Sequence, residues 1–234
     1  MSRFKPTNKF VFKATIASYI MMALYAMLLN MVGEILPPII DEFNLTMARA
    51  GLLQMLFNIG GIITLLFMLY FSDRIRKSRL IYYSFLLTSI AMAISGIFTQ
   101  SYIFLIIAFV ILGSTTKIFD VSVNAYVNDI NTRGREFFLQ MLHMSFGIGA
   151  ALGPAYASII INNNYGWRSA LWILAAVYGF LLVLSFFPIM RHDKKIEKPV
   201  IHGQNQLKIM SLLKNPTVWV LFIGASCFSG AYVG

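Results

Sequence analysis

The chain has 234 residues, of which 58% are hydrophobic and only 12% charged, with a mean hydropathy of +0.72. A soluble domain carries about 25% charged residues, so the composition excludes a water-soluble globular protein and indicates an integral membrane protein. The formal net charge of +10 reads as a membrane-topology signal from its placement along the chain, and no nucleic-acid partner is implied.

Crossing a hydrocarbon core of about 30 Å takes about 20 helical residues. Apolar runs of that order cover 14–37, 49–71, 80–99, 102–127, 137–161 and 167–190, and a shorter one covers 217–234. They are too long for barrel strands and lack alternation, which predicts helices. The first run follows the basic leader MSRFKPTNKFVFK, is too long for a signal-peptide core and has no small-x-small cleavage site at a sensible distance after it. A retained first helix is expected, carrying Asn30 and Glu34 and ending at Pro37-Pro38. The second run carries Gln54 and Asn58, and the loop after it reads DRIRKSRL at 73–80. The fourth contains STTKIFDVSVN at 114–124, which places Lys117, Asp120 and Asn124 in hydrocarbon.

The fifth run holds His143 and then GIGAALGP at 147–154, where Gly153-Pro154 predicts a kink and Gly149-x-x-x-Gly153 allows close backbone approach. The sixth begins within NNNYGWRSALWILA at 162–175. A long polar segment, 191–215, separates it from the last run. With the N-terminus inside, sixteen Lys and Arg fall on the inner side against Arg49 and Arg168 outside, with Lys117 left in the membrane. The expected protein is therefore all-α and multi-pass in a cell (plasma or inner) membrane, with a cytoplasmic N-terminus. Its expected parts are a six-helix bundle at 1–190, a cytoplasmic linker at 191–215 and the start of a seventh helix at 216–234.

The intramembrane polar residues fall on helical faces. Asn30 and Glu34 are spaced i,i+4, as are Gln54 and Asn58, while Lys117, Asp120 and Asn124 are i,i+3,i+7. One polar face per helix points to a shared aqueous cavity. Plainer readings stay open: a local Lys117–Asp120 ion pair, Gln54 and Asn58 as inter-helix hydrogen-bonding residues, and His143 reaching the membrane interface. Glu34 has no basic residue within a turn, so it must sit near water, pair across helices or hold a proton. No nucleotide-binding loop, metal-ligand cluster or nucleophile–base set is present in the sequence, and an enzymatic role has no residue-level support. The single Cys227 allows no internal disulfide.

With this layout the chain resembles the N-terminal half of a major facilitator superfamily transporter over nearly its whole length. DRIRKSRL resembles that family's acidic-basic gating loop, with Asp73, Arg74, Arg76 and Lys77 as its charged residues, although Leu69 and Arg76 stand where the family has glycines. GWR at 166–168 resembles the usual start of helix 6. NMVGEILPPI at 30–39, RAGLLQMLFNIG at 49–60 and FDVSVNAYV at 119–127 are most similar to the fucose–galactose–glucose proton symporter branch. That resemblance implies a 3+3 inverted repeat in which helices 1 and 4 correspond, and it puts Glu34 and Asp120 where the branch carries its proton-coupling carboxylates. Asn124 falls on the branch's asparagine. His143 or Met144 stands near its fifth-helix asparagine, and Lys117 lies outside the pattern and suits an anionic substrate.

The expectation is a proton-coupled permease for a small solute, a sugar or related metabolite. Glu34 and Asp120 exchange the proton, and Asn30, Gln54, Asn58, Lys117, Asn124 and His143 hold the substrate. No cofactor is expected; the proton gradient drives transport. The apolar run reaching Gly234 without a polar tail reads as an incomplete carrier, which needs a second six-helix half or a second copy. The alternatives are a drug–proton antiporter, since GAALGPAYAS at 149–158 partly resembles the antiporter motif, and a non-transporting half-carrier.

Overall fold

A backbone in hydrocarbon has no water to bond, so its N–H and C=O groups must be satisfied within a helix or a closed barrel. The computed structural model describes residues 9–71, 75–98 and 101–192 together with residue 216, and its elements are all helices. They run α1 Lys9–Phe43, α2 Met47–Phe71, α3 Lys77–Phe98, α4 Tyr102–Ile130, α5 Arg135–Asn162 and α6 Gly166–His192. All six are long and apolar enough to cross a membrane. The chain divides into two units, Met1–Ile196 and Glu197–Gly234. Beyond residue 192 only Pro216 is described, so the expected linker and seventh helix lie outside the described residues, as do Asp73 and Arg74 of the loop after α2.

The helices outrun the expected spans. At 1.5 Å per residue the 35 residues of α1 extend about 52 Å, well past a 30 Å core. Lys9 and Lys13 mark one end and Asp41 and Glu42 the other. The expected stop at Pro37-Pro38 is not observed, because α1 continues through both prolines to Phe43. Proline removes a donor and crowds the carbonyl four residues back. Gly33, Glu34 and Pro37 all lie on the exposed face of α1, where that disturbance meets no packed neighbour. The helix instead stops at Asn44, whose φ of 49° is left-handed, with Leu45 N–H donating to the Ile40 carbonyl at 3.0 Å. α5 ends the same way: it runs through Pro154, Asn164 has φ 62°, and Tyr165 N–H donates to the Ile160 carbonyl at 3.2 Å.

Short turns make successive helices antiparallel, and contacts at both ends agree. At the end rich in Lys and Arg, Asn131 after α4 donates to Thr15 of α1 at 3.1 Å. There too Tyr19 of α1 donates to the Phe138 carbonyl of α5 at 3.0 Å, and Tyr126 of α4 to the Ile189 carbonyl of α6 at 3.1 Å. At the opposite end Tyr102 of α4 donates to the Arg49 carbonyl of α2 at 2.7 Å.

The most extensive pairings are α1 with α5, α2 with α4, and α3 with α6, followed by α3 with α4 and α1 with α6. Exchanging α1 with α4, α2 with α5 and α3 with α6 maps this set onto itself, as a 3+3 repeat requires. Both lead pairings use glycine for contact at backbone distance. A methyl on Gly149 of α5 would overlap the Ala23 carbonyl of α1, and one on Gly113 of α4 would overlap the Phe57 carbonyl of α2. Lipid tails are as apolar as these side chains, so such close packing, rather than burial from water, holds the helices together.

Candidate functional site

The i,i+3,i+7 stripe on α4 forms as its spacing predicts. Asn124 Nδ2 donates to the Asp120 backbone carbonyl at 2.9 Å and to Asp120 Oδ1 at 3.1 Å. Lys117 Nζ stands 3.8 Å from Asp120 Oδ2. One carboxylate oxygen is thus taken by the amide and the other faces the ammonium. The Lys117 and Asp120 side chains are 33% and 30% exposed, so the pair lines an open face instead of sitting in packed interior.

Magnitudes show that the pair does not sustain itself alone. Two charges near a helix centre cost roughly 5–7 kcal/mol together on insertion scales. Their attraction at about 4 Å returns about 4 kcal/mol at an effective dielectric of 20, and about 1 kcal/mol in water. The remainder requires polar partners or water, and Asn124 and the open face supply both.

α1 provides a partner that sequence reading missed. Tyr25, 2% exposed, presents its hydroxyl within interaction range of the Asp120 carboxylate. Its ring is fixed against Phe119 of α4 at 5.4 Å between centroids and against Phe146 of α5 at 5.9 Å. Phe119 continues to Phe85 of α3 at 5.2 Å, and Phe85 stacks on Tyr178 of α6 at 4.0 Å. Five helices therefore meet in one aromatic cluster directly behind Asp120. The Tyr178 hydroxyl is buried without a hydrogen-bond partner among the described residues. The signal available in the sequence was a tyrosine in mid-helix, since a buried Tyr hydroxyl usually finds a partner.

The other expected site residues are spread along the same bundle. Asn30 is half-buried and donates to the Ala26 carbonyl of its own helix at 2.8 Å. Glu34 is exposed, and nine residues of rise place it about 13 Å along α1 from Tyr25, so it and Asp120 occupy different depths. Gln54 and Asn58 are exposed on α2 and make no hydrogen bond to another helix among the described residues. His143 is exposed on α5, one turn before Phe146. Arg76 is exposed, while Lys77, the first residue of α3, pairs with Asp129 near the end of α4 at 2.5 Å. A second ionic contact joins the opposite end: Glu42 accepts from Trp167 Nε1 at 2.8 Å and Arg168 at 2.6 Å, and Arg168 lies 4.5 Å over the Trp167 ring.

Among the described residues no group of His, Cys, Asp and Glu is placed to hold a metal ion. The site offers instead a carboxylate that can gain or lose a proton, a cation beside it, and amides and hydroxyls for a polar solute. A comparison with curated protein sequences finds no significant match. The sequence profile of the Major Facilitator Superfamily matches residues 18–234, nearly the whole chain, and agrees with the six spanning helices. The chain belongs to the major facilitator superfamily, a family of secondary transporters.

Proposed function

We propose that this bundle is the N-terminal half of a permease that moves a small hydrophilic solute, a sugar or related metabolite, together with protons. The observation that carries the reading is Asp120. It is an ionisable group in mid-membrane that is partly open, tied by Asn124, faced by Tyr25 and paired with Lys117. Gain of a proton changes both its charge and its hydrogen-bonding capacity, so it biases one conformation over another in a two-state carrier. Asn30, Gln54, Asn58 and His143 supply polar contacts for the solute from the neighbouring helices, and Glu34 serves as a second proton-binding group at a different depth.

Alternating access needs a second bundle for this face to rock against, from further chain or a second copy. The basic end faces the cytoplasm of a plasma or inner membrane in this reading, by its excess of Lys and Arg. Similarity of Glu34, Asp120 and Asn124 to the fucose–galactose–glucose proton symporters supports uptake in preference to efflux. The test is proton entry into liposomes on addition of single sugars and sugar derivatives, beside a panel of lipophilic cations. Solute-dependent alkalinisation outside the liposomes is expected with at least one sugar-class solute. Proton movement driven only by lipophilic cations would overturn the assignment in favour of antiport.

A further inference from the structure

Lys117 is the residue that the proton-coupling reading leaves unexplained. It stands 15 residues from the start of α4 and 13 from its end, so about 20 Å of helix separates it from either end. A lysine side chain cannot reach the interface over that distance. Its stem also packs closely against α2, since a methyl on Gly61 would come 2.8 Å from Lys117 Cγ. The ammonium is therefore held at mid-depth beside Asp120, its single ion-pair partner among the described residues.

The contact itself is loose. Charge-assisted N–H···O bonds close to about 2.7–2.9 Å, whereas this separation is 3.8 Å with both groups about one-third exposed. Asp120 does not depend on Lys117 for its position, because Asn124 holds it from one side and Tyr25 faces it from α1. Among the described residues, the titratable or charged groups that face Asp120 are Lys117 on α4 and Tyr25 on α1, with Tyr178 of α6 behind Tyr25.

We propose that Lys117 exchanges its counter-ion during transport, so that the solute is an organic anion whose carboxylate takes the place of Asp120 beside the Lys117 ammonium. A proton binds a carboxylate oxygen of Asp120, which becomes neutral and stays tied to Asn124. Lys117 is then left without a counter-charge in an apolar bundle, and a solute carboxylate restores it. A neutral sugar cannot. One proton and one monoanion move together, so the cycle carries no net charge. The inference rests on the proton-coupling role of Asp120 and narrows the solute to a sugar acid or similar polyhydroxy monocarboxylate.

The experiment is equilibrium binding to the purified protein together with its second bundle, in nanodiscs, with D-gluconate and D-glucose as probes, at pH 7.5, 6.5 and 5.5. Gluconate is expected to bind and glucose to bind at least tenfold more weakly. Gluconate binding should tighten by up to tenfold per unit fall in pH, because each bound anion needs one proton on Asp120. Asp120→Asn should bind gluconate tightly with no pH dependence. Lys117→Met should weaken gluconate at least tenfold, and Lys117→Arg should recover most of it, which separates lost charge from lost folding. Absence of gluconate binding at every pH, pH-independent binding by the wild type, or unchanged binding by Lys117→Met would each overturn the proposal. If glucose then binds and drives proton entry, proton-coupled sugar transport stands without the anion; if neither probe binds, the anion proposal falls and the solute panel in liposomes decides the proton-coupling reading separately.

Discussion

Asn124 grips Asp120 twice, through the backbone carbonyl at 2.9 Å and through Oδ1 at 3.1 Å, while leaving Oδ2 to Lys117. The amide therefore fixes the carboxylate's orientation without using the oxygen that faces the cation. Substituting Asn124→Leu keeps the side-chain size and removes both donors. Proton-coupled uptake is expected to fall at least tenfold, with the thermal midpoint changed only slightly because the residue is not in the packed interior. Uptake assayed at fixed pH gradient, beside a melting curve, checks both halves of this expectation.

Tyr25→Phe is expected to leave the fold intact, since the ring contacts to Phe119 and Phe146 are retained. Loss of one hydroxyl costs on the order of 1 kcal/mol. Its functional effect is expected at the carboxylate it faces. Proton-coupled uptake at a fixed pH gradient should fall several-fold, and unchanged uptake would show that Tyr25 serves packing alone.

The glycine contacts predict a sharp contrast within one turn of α5. Gly147 has nothing within 4 Å of where a Cβ would stand, whereas at Gly149 the Ala23 backbone already occupies that space. Gly147→Ala should be neutral or slightly stabilising, because alanine is the better helix former by about 1 kcal/mol. Gly149→Val should separate α5 from α1, and loss of the monodisperse peak in size-exclusion chromatography is the expected readout.

At the opposite end, Glu42→Gln removes the charge that accepts from Trp167 and Arg168. The contact is largely exposed, so only about 0–1 kcal/mol of stability is at stake. Thermal stability should drop slightly at low salt and converge with the wild type at high salt, with coupled uptake retained.

The spans and the α4 stripe were legible in the sequence because both rest on local periodicity. Lys117, Asp120 and Asn124 share a face by spacing alone, and the structure brings them together. Tyr25 was not legible as Asp120's neighbour, since which face of α1 meets α4 is settled by packing across the bundle. The same holds for Glu42 and Arg168, 126 positions apart. Pro37-Pro38 misled in the other direction. A proline pair predicts a helix stop, but on an exposed face its cost is small and the left-handed Asn44 ends α1 instead.

Coupling of the proton to the solute through Asp120 is tested by comparing Asp120→Asn with the wild type in liposomes, using the best solute from the panel, in two modes. One is uphill uptake driven by a pH gradient; the other is exchange of labelled for unlabelled solute at equal pH. Asp120→Asn is expected to abolish uphill uptake and retain exchange, because the amide mimics the protonated carboxyl and the solute still binds. Uphill uptake by Asp120→Asn at the wild-type rate would contradict it.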